Sequence, residues 1–259
     1  MKKIIGLLLV YIFIVSNVMA RDLRFVQVTD VRYTKSDENQ SLSRTVKDIN
    51  RQKGVDFVVF TGNMLQRPNV DDLKSFLGEA KKLKRPFYLV IGDKDVNKHK
   101  DLSKKQFAKI AKRNLAITKK GNINYTFEKN GVFFIVADGA KDVIPSSNGY
   151  YKDDTVEWVE SKLDTHKNEN VIILQHFPLI PPNDNENYMT YKPEKYLEVL
   201  NSHKNVKAVI SGHFGVNKET EVDGITHIST APAPQYRIID VIDCTSENPT
   251  FWAEIRRAE

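Results

Sequence analysis

The chain has 259 residues, 41% hydrophobic and 28% charged, the balance of a globular protein with a sizeable core. The formal charge of +6 is mild, and no stretch interleaves aromatic with basic residues as a nucleic-acid module does, so no nucleic-acid partner is expected. A single cysteine, Cys244, excludes an internal disulfide framework.

The first residues differ from the rest. Lys2 and Lys3 precede an apolar run over 4–15, and Val18, Met19 and Ala20 lead to a plausible cut. This pattern predicts a cleavable signal peptide over 1–20 and a single mature domain over 21–259, secreted or periplasmic. The run is short for a membrane span, which needs about 20 residues. An uncleaved anchor is the weaker alternative, and no stable span is expected after cleavage. Losing Lys2 and Lys3 lowers the charge from +6 to +4.

An apolar run over 25–29 predicts a strand leading into Asp30, Val31 and Arg32. A helix over 41–52 follows, then a strand over 57–61 leading into Gly62 and Asn63. After a helix over 70–83, a strand over 87–91 leads into Gly92, Asp93, Lys94 and Asp95. Lysines are dense between 94 and 120. Phe107, Ile110, Ala111 and Leu115 recur at helical spacing over 103–115, which turns the lysines outward as a solvated face. Runs over 124–128 and 132–137 predict a hairpin across Asn130 and Gly131. A helix over 154–166 precedes a strand over 171–175 that leads into His176. The stretch 177–191, rich in proline and asparagine, is a loop expected to rim the pocket that His176 serves. A helix over 192–200 and a strand from 206 follow, the strand broken by Gly212 just before His213. Strand-like runs recur over 219–222, 226–229, 236–242 and 251–255, and Cys244 reads as a small residue beside a strand end. His99, His166 and His203 read as surface residues and His227 as a strand residue.

Units of strand, helix and strand followed by late hairpins predict an α/β protein of two mixed β-sheets rather than one doubly wound sheet. Five strand ends then present Asp30, Asn63, Asp93, His176 and His213. In α/β proteins ligands collect at the carboxyl ends of strands, so these groups are expected in one pocket.

In order and spacing these segments resemble the calcineurin-like metallophosphoesterase family over about 23–242. Its pattern is D-x-H, G-D, G-N-H-[DE], a lone H and G-H-x-H. The resemblance implies two mixed sheets packed face to face and flanked by helices in a four-layer sandwich, with two metal ions at the strand ends. Asp30, His176 and His213 match ligand positions of the pattern. Elsewhere the chain departs from it. Arg32 stands for the first histidine, Asn63 for the bridging aspartate, Asp93 for the asparagine, Lys94 for the acid/base histidine and Gly215 for the last histidine.

Arginine only donates hydrogen bonds and glycine has no side chain, so the first ion site is expected to be lost, with Asp30 as its remnant. Asn63, Asp93, His176 and His213 form a sensible set for one divalent ion, zinc, iron or manganese. The alternative holds no ion. Arg32 then forks onto Asp30 and Lys94 reaches Asp93 or Asp95, and the +2 of the two cations offsets the −2 of Asp30 and Asp93. The resemblance therefore implies a metallophosphoesterase-type hydrolase with impaired or lost activity toward a phosphoester or other phosphorylated small molecule. His213 and Lys94 are the candidate catalytic groups, and Arg32 and Lys94 the candidate substrate-binding groups. An active one-ion phosphoesterase using Asp93, His176 and His213 is the first alternative, and a non-catalytic anion- or partner-binding protein the second.

Overall fold

The computed structural model describes residues 22–36, 41–112 and 123–259. The signal segment expected over 1–20 and the end of the helix expected over 103–115 lie outside the described residues. In the first sheet β1 (Leu23–Val28), β2 (Phe57–Thr61) and β3 (Phe87–Val90) run parallel. In the second, β4 (Tyr125–Lys129) and β5 (Val132–Val136) form the expected hairpin, and β6 (Asn170–Leu174) and β7 (Val206–Ser211) continue parallel to β5. The hairpin β8 (Lys218–Val222) and β9 (Ile225–Ser229) closes that sheet through β9 beside β7. The chain then returns, and β10 (Gln235–Ile242) and β11 (Thr250–Arg257) extend the first sheet antiparallel beside β1. The spatial orders are β11-β10-β1-β2-β3 and β4-β5-β6-β7-β9-β8.

Central strands such as β2, with the sequence FVVFT, are buried along their whole length. A strand covered on both faces carries a continuous apolar run rather than an alternating one. One cover is the other sheet. The ring of Phe57 on β2 meets Phe134 on β5 edge-on at 5.2 Å, and Tyr88 on β3 stacks on Phe127 of β4 at 3.6 Å. The Tyr125 hydroxyl crosses the same seam, donating to the Leu89 carbonyl at 2.9 Å and accepting from its N–H at 3.1 Å. Among the described residues, five α-helices flank the sheets. Helices α1 (Ser41–Ile49), α2 (Val70–Ala80) and α3 (Lys104–Lys112) neighbour one another in turn, and α4 (Asp153–Thr165) neighbours α5 (Glu194–Ser202). No helix among the described residues is long and apolar enough to cross a membrane.

Helix α1 stops short of its expected end at 52 because Asn50 has another task. Its amide donates to the Lys82 carbonyl at 2.8 Å and accepts from the Lys84 N–H at 2.7 Å, tying the ends of α1 and α2 together. Two of the histidines expected at the surface are partly buried instead. His166 stacks on Phe133 at 3.5 Å, and His203 bonds to the Val199 carbonyl at 2.7 Å. Lys104 departs from the outward lysine face, because its ammonium is bound by Asp138 and the Ala140 carbonyl, both at 2.6 Å.

His227 lies within β9 as expected and is 8% exposed, and burial lowers its pKa to about 4. An unfolded histidine titrates near 6.5. Between those values the unfolded chain takes up a proton that the folded chain refuses. Stability is therefore full above about pH 6.5 and falls until about pH 4, by about 2–3 kcal/mol in total. Urea unfolding at pH 7.5 and 4.5 checks this: His227→Gln should lose less stability than the native chain by about that amount.

Candidate functional site

Because β1, β2 and β3 are parallel, as are β6 and β7, their carboxyl ends open on one edge of the sandwich. Tight turns aim the side chains there into a common gap. Asp30, Arg32, Asn63 and His213 all adopt left-handed backbone, with φ of 49°, 52°, 51° and 73°. For an arginine this is an unusual conformation, and its recurrence across one site marks turns held by their surroundings. Two glycines give the clearance. A Cβ on Gly62, whose φ is +93°, would lie 2.4 Å from His176 Nδ1, and one on Gly212 would lie 2.0 Å from Thr29 Oγ1.

Asn63 sits at the centre. Its amide nitrogen donates to Asp30 Oδ1 at 3.1 Å and to Asp93 Oδ1 at 3.0 Å, while its oxygen accepts from the Lys94 N–H at 2.9 Å. The network fixes the orientation: two carboxylates can face only the NH₂ end, and an N–H only the oxygen. Asn63 thus reaches the expected place but presents protons to the gap. Asp30 is 2% exposed, and its Oδ2 also accepts from Thr29 Oγ1 at 2.9 Å and the His213 N–H at 3.0 Å. Asp95 shapes the loop behind Asp93 by accepting from the N–H groups of Leu65 at 2.9 Å and Gly92 at 2.8 Å.

Asp93, His176 and His213 form a separate triangle. His176 Nε2 lies 3.4 Å from Asp93 Oδ1 and 3.1 Å from His213 Nδ1, and His213 Nδ1 lies 3.5 Å from Asp93 Oδ1. Ligands about 2.0–2.1 Å from a tetrahedral ion stand about 3.3–3.4 Å apart, so the triangle has the dimensions of one face of such a site. The remote nitrogens agree with this. His176 Nδ1 meets the Thr61 carbonyl at 2.6 Å, and His213 Nε2 meets the Ser147 carbonyl at 2.7 Å. Each imidazole that donates outward turns its other lone pair into the triangle, the usual support for a metal-bound histidine.

Burial and charge oppose each other here. Burial raises the Asp93 pKa, but the His176 hydrogen bond and the nearby imidazoles outweigh it and hold the carboxyl down to about 2. Burial works against a charged His176, yet Asp93 and Asp30 raise its pKa overall. His213, buried and beside His176, is pushed below the usual histidine range. Protein groups occupy both nitrogens of His213, so its acid/base role would need Nδ1 or Nε2 to be released.

The expected cation pairs are looser than the sequence suggested. Arg32 does not fork onto Asp30; one guanidinium nitrogen lies 3.8 Å from Oδ1. Lys94 makes no ion pair with Asp93 or Asp95 among the described residues, because Asp95 is wholly buried on backbone donors. Instead Arg32 lines a groove beside Asp30 and Lys94 lines one beside Asp93. The 177–191 loop does rim the site: the Tyr188 ring meets His213 edge-on at 5.2 Å. Sequence reasoning missed the loop carrying Ser147, whose hydroxyl donates to the Asn187 carbonyl at 2.8 Å and joins the two rims. A backbone carbonyl as histidine partner has no residue signature that could have revealed it.

The family model described as calcineurin-like phosphoesterase matches residues 23–217. A manganese-dependent ADP-ribose/CDP-alcohol diphosphatase of Danio rerio is 29% identical over 97 residues, which span 36% of this chain and 30% of that protein. A Xenorhabdus bovienii protein named as a probable cyclic nucleotide phosphodiesterase is 21% identical over 204 residues, 74% of this chain and 78% of its own length. Among solved structures, a dimetal phosphatase from Danio rerio superposes with a TM-score of 0.68 at 15% identity, covering 92% of this chain and 99% of that one. A Plasmodium protein described as the anchor in the inner membrane complex superposes with a TM-score of 0.56 at 14% identity, covering 92% and 89%.

Proposed function

This chain belongs to the calcineurin-like phosphoesterase family, and we propose that its two-ion centre is reduced to one divalent-ion site, with phosphoester hydrolysis strongly impaired. The carrying observation is the Asn63 amide. It stands between Asp30 and Asp93 and gives a proton to each, where the family pattern has a carboxylate that bridges two cations. Two ions about 3.5–4 Å apart repel each other, and a neutral amide does not hold them together. Asp93, His176 and His213 would hold the remaining ion. A bound ion there would polarise a phosphoryl oxygen and lower the pKa of a bound water. Asn63, Thr61 and Ser147 would keep the three ligands aimed. Arg32 and Lys94, in the lining of the flanking grooves, would attract the phosphoryl group as fixed cations.

The ligand in this reading is a phosphorylated small molecule, as with the named diphosphatase and phosphodiesterase relatives. The proposal also includes export, on the basic and apolar pattern of the first twenty residues. N-terminal sequencing of the mature protein tests that part, and an intact Met1 would end it.

Metal analysis tests the centre. The native chain should bind about one zinc, iron or manganese ion, and ion at about 100-fold over its Kd should stabilise it by about 2.7 kcal/mol. His213→Ala should abolish both effects. No ion bound at any supply would remove the one-ion reading. Chelator-sensitive turnover of generic phosphodiesters, lost in His213→Ala, would favour an active one-ion hydrolase instead.

A further inference from the structure

Two cationic grooves flank the Asn63 bridge, each lined by one of the two carboxylates that the amide holds. One, of about 460 Å³, is lined by Asp30, Arg32, Arg44 and Arg257, with Val31 and Pro232 among its apolar residues. The other, of about 370 Å³, is lined by Asp93, Arg67, Lys94 and Lys100. The cations come from separate places in the chain. Arg44 lies on α1, Arg257 ends β11, and Arg67 and Lys100 lie in the loops after β2 and β3. Among the described residues, Asp30 is the only carboxylate lining the first groove and Asp93 the only one lining the second. Asp30 and Asp93 are both turned inward onto the Asn63 amide. Arg44, Arg257, Arg67 and the Lys100 ammonium make no ion pair with a described carboxylate, and all four residues are exposed.

We propose that the ligand carries two or more phosphoryl groups and lies across the centre with one end in each groove. This rests on the phosphate-binding reading above and names its substrate class: a phosphate chain or a diphosphate ester rather than a simple monoester. The two carboxylate oxygens share one nitrogen, at 3.1 and 3.0 Å, so the grooves lie close together on that side and a short chain would span them. Guanidinium groups suit phosphate oxygens because their donors form a planar fork. A ligand bound at one end meets the second groove at high effective concentration, so affinity rises steeply with the number of phosphates.

Calorimetry on the full chain with orthophosphate, pyrophosphate and tripolyphosphate tests this. Tripolyphosphate should bind about tenfold or more tighter than orthophosphate. The pair Arg44→Glu with Arg257→Glu, and separately Arg67→Glu with Lys100→Glu, should each remove most of that gain. Lys105→Glu, on the solvated face of α3, should leave it intact. All of these side chains are exposed, and matched melting curves establish that the variants fold. A gain that survives both pairs, or that Lys105→Glu reduces equally, overturns the proposal. ADP compared with pyrophosphate separates an ester from a free chain, and groove-dependent binding of either supports the two-groove site. Ion content measured on the same samples keeps the two readings apart. Groove-dependent binding without an ion would sink the one-ion centre alone, and an ion without groove dependence would sink this inference alone.

Discussion

Asn63→Asp should destabilise the metal-free protein by about 3–5 kcal/mol and make its stability depend on a divalent ion. In the native chain one amide gives two protons, one to buried Asp30 and one to partly buried Asp93. The substitution removes both donors and places a third carboxylate within hydrogen-bonding distance of Asp30 and Asp93. Three such groups do not ionise together, so one pKa is raised in the folded state above its unfolded value near 4. The folded variant then binds a proton that the unfolded chain releases. Its stability is best below about pH 4 and is lost as pH rises through the raised pKa, so the deficit against the native chain should widen from pH 5 to pH 7. An ion that binds between the carboxylates supplies the missing positive charge, and at about 100-fold over its Kd should return about 2.7 kcal/mol. Thermal and urea unfolding at the two pH values, with chelator and with manganese, read all of this. A variant as stable as the native chain and indifferent to metal would mean that the amide does not hold two ionised carboxylates together.

The sequence showed where the site would be better than how it is wired. Each of the runs before Asp30, Asn63, Asp93, His176 and His213 is apolar and rich in β-branched or aromatic residues, so the strands and their ends were readable. Their convergence followed from parallel pairing. The orientation of Asn63 was not readable, because it depends on the Lys94 N–H arriving at its oxygen, a contact made only when two loops are folded together. The same holds for the Thr61 and Ser147 carbonyls, since every residue type carries a carbonyl. Arg32 and Lys94 have long side chains with many rotamers, and opposite charge near in sequence did not decide where they point. The grooves recruited them instead, beside Arg44 and Arg67, which no motif had singled out.

Restoring the family pattern should raise phosphodiester hydrolysis by about 10³-fold or more, through the combined substitutions Arg32→His, Asn63→Asp, Asp93→Asn, Lys94→His and Gly215→His. The charges explain why they must be combined. Asn63→Asp with Asp93→Asn moves a carboxylate to the bridging position and keeps the number of acids constant, which avoids the crowding of Asn63→Asp alone. Replacing Arg32 and Lys94 withdraws two fixed cations, so the −2 of the two carboxylates is left for bound metal to balance. Room exists for the last ligand: a Cβ on Gly215 would meet Pro232 Cδ no closer than 3.9 Å. Its backbone φ of +73° is left-handed, so a histidine there should cost about 1–2 kcal/mol of stability. The expected variant binds about two ions per chain, melts lower without metal and hydrolyses an aryl phosphodiester in a chelator-sensitive way. Ion count and turnover must be read together. Two bound ions with unchanged turnover would show that the impairment lies outside the ligand set, and the flanking grooves would then be the next place to seek it.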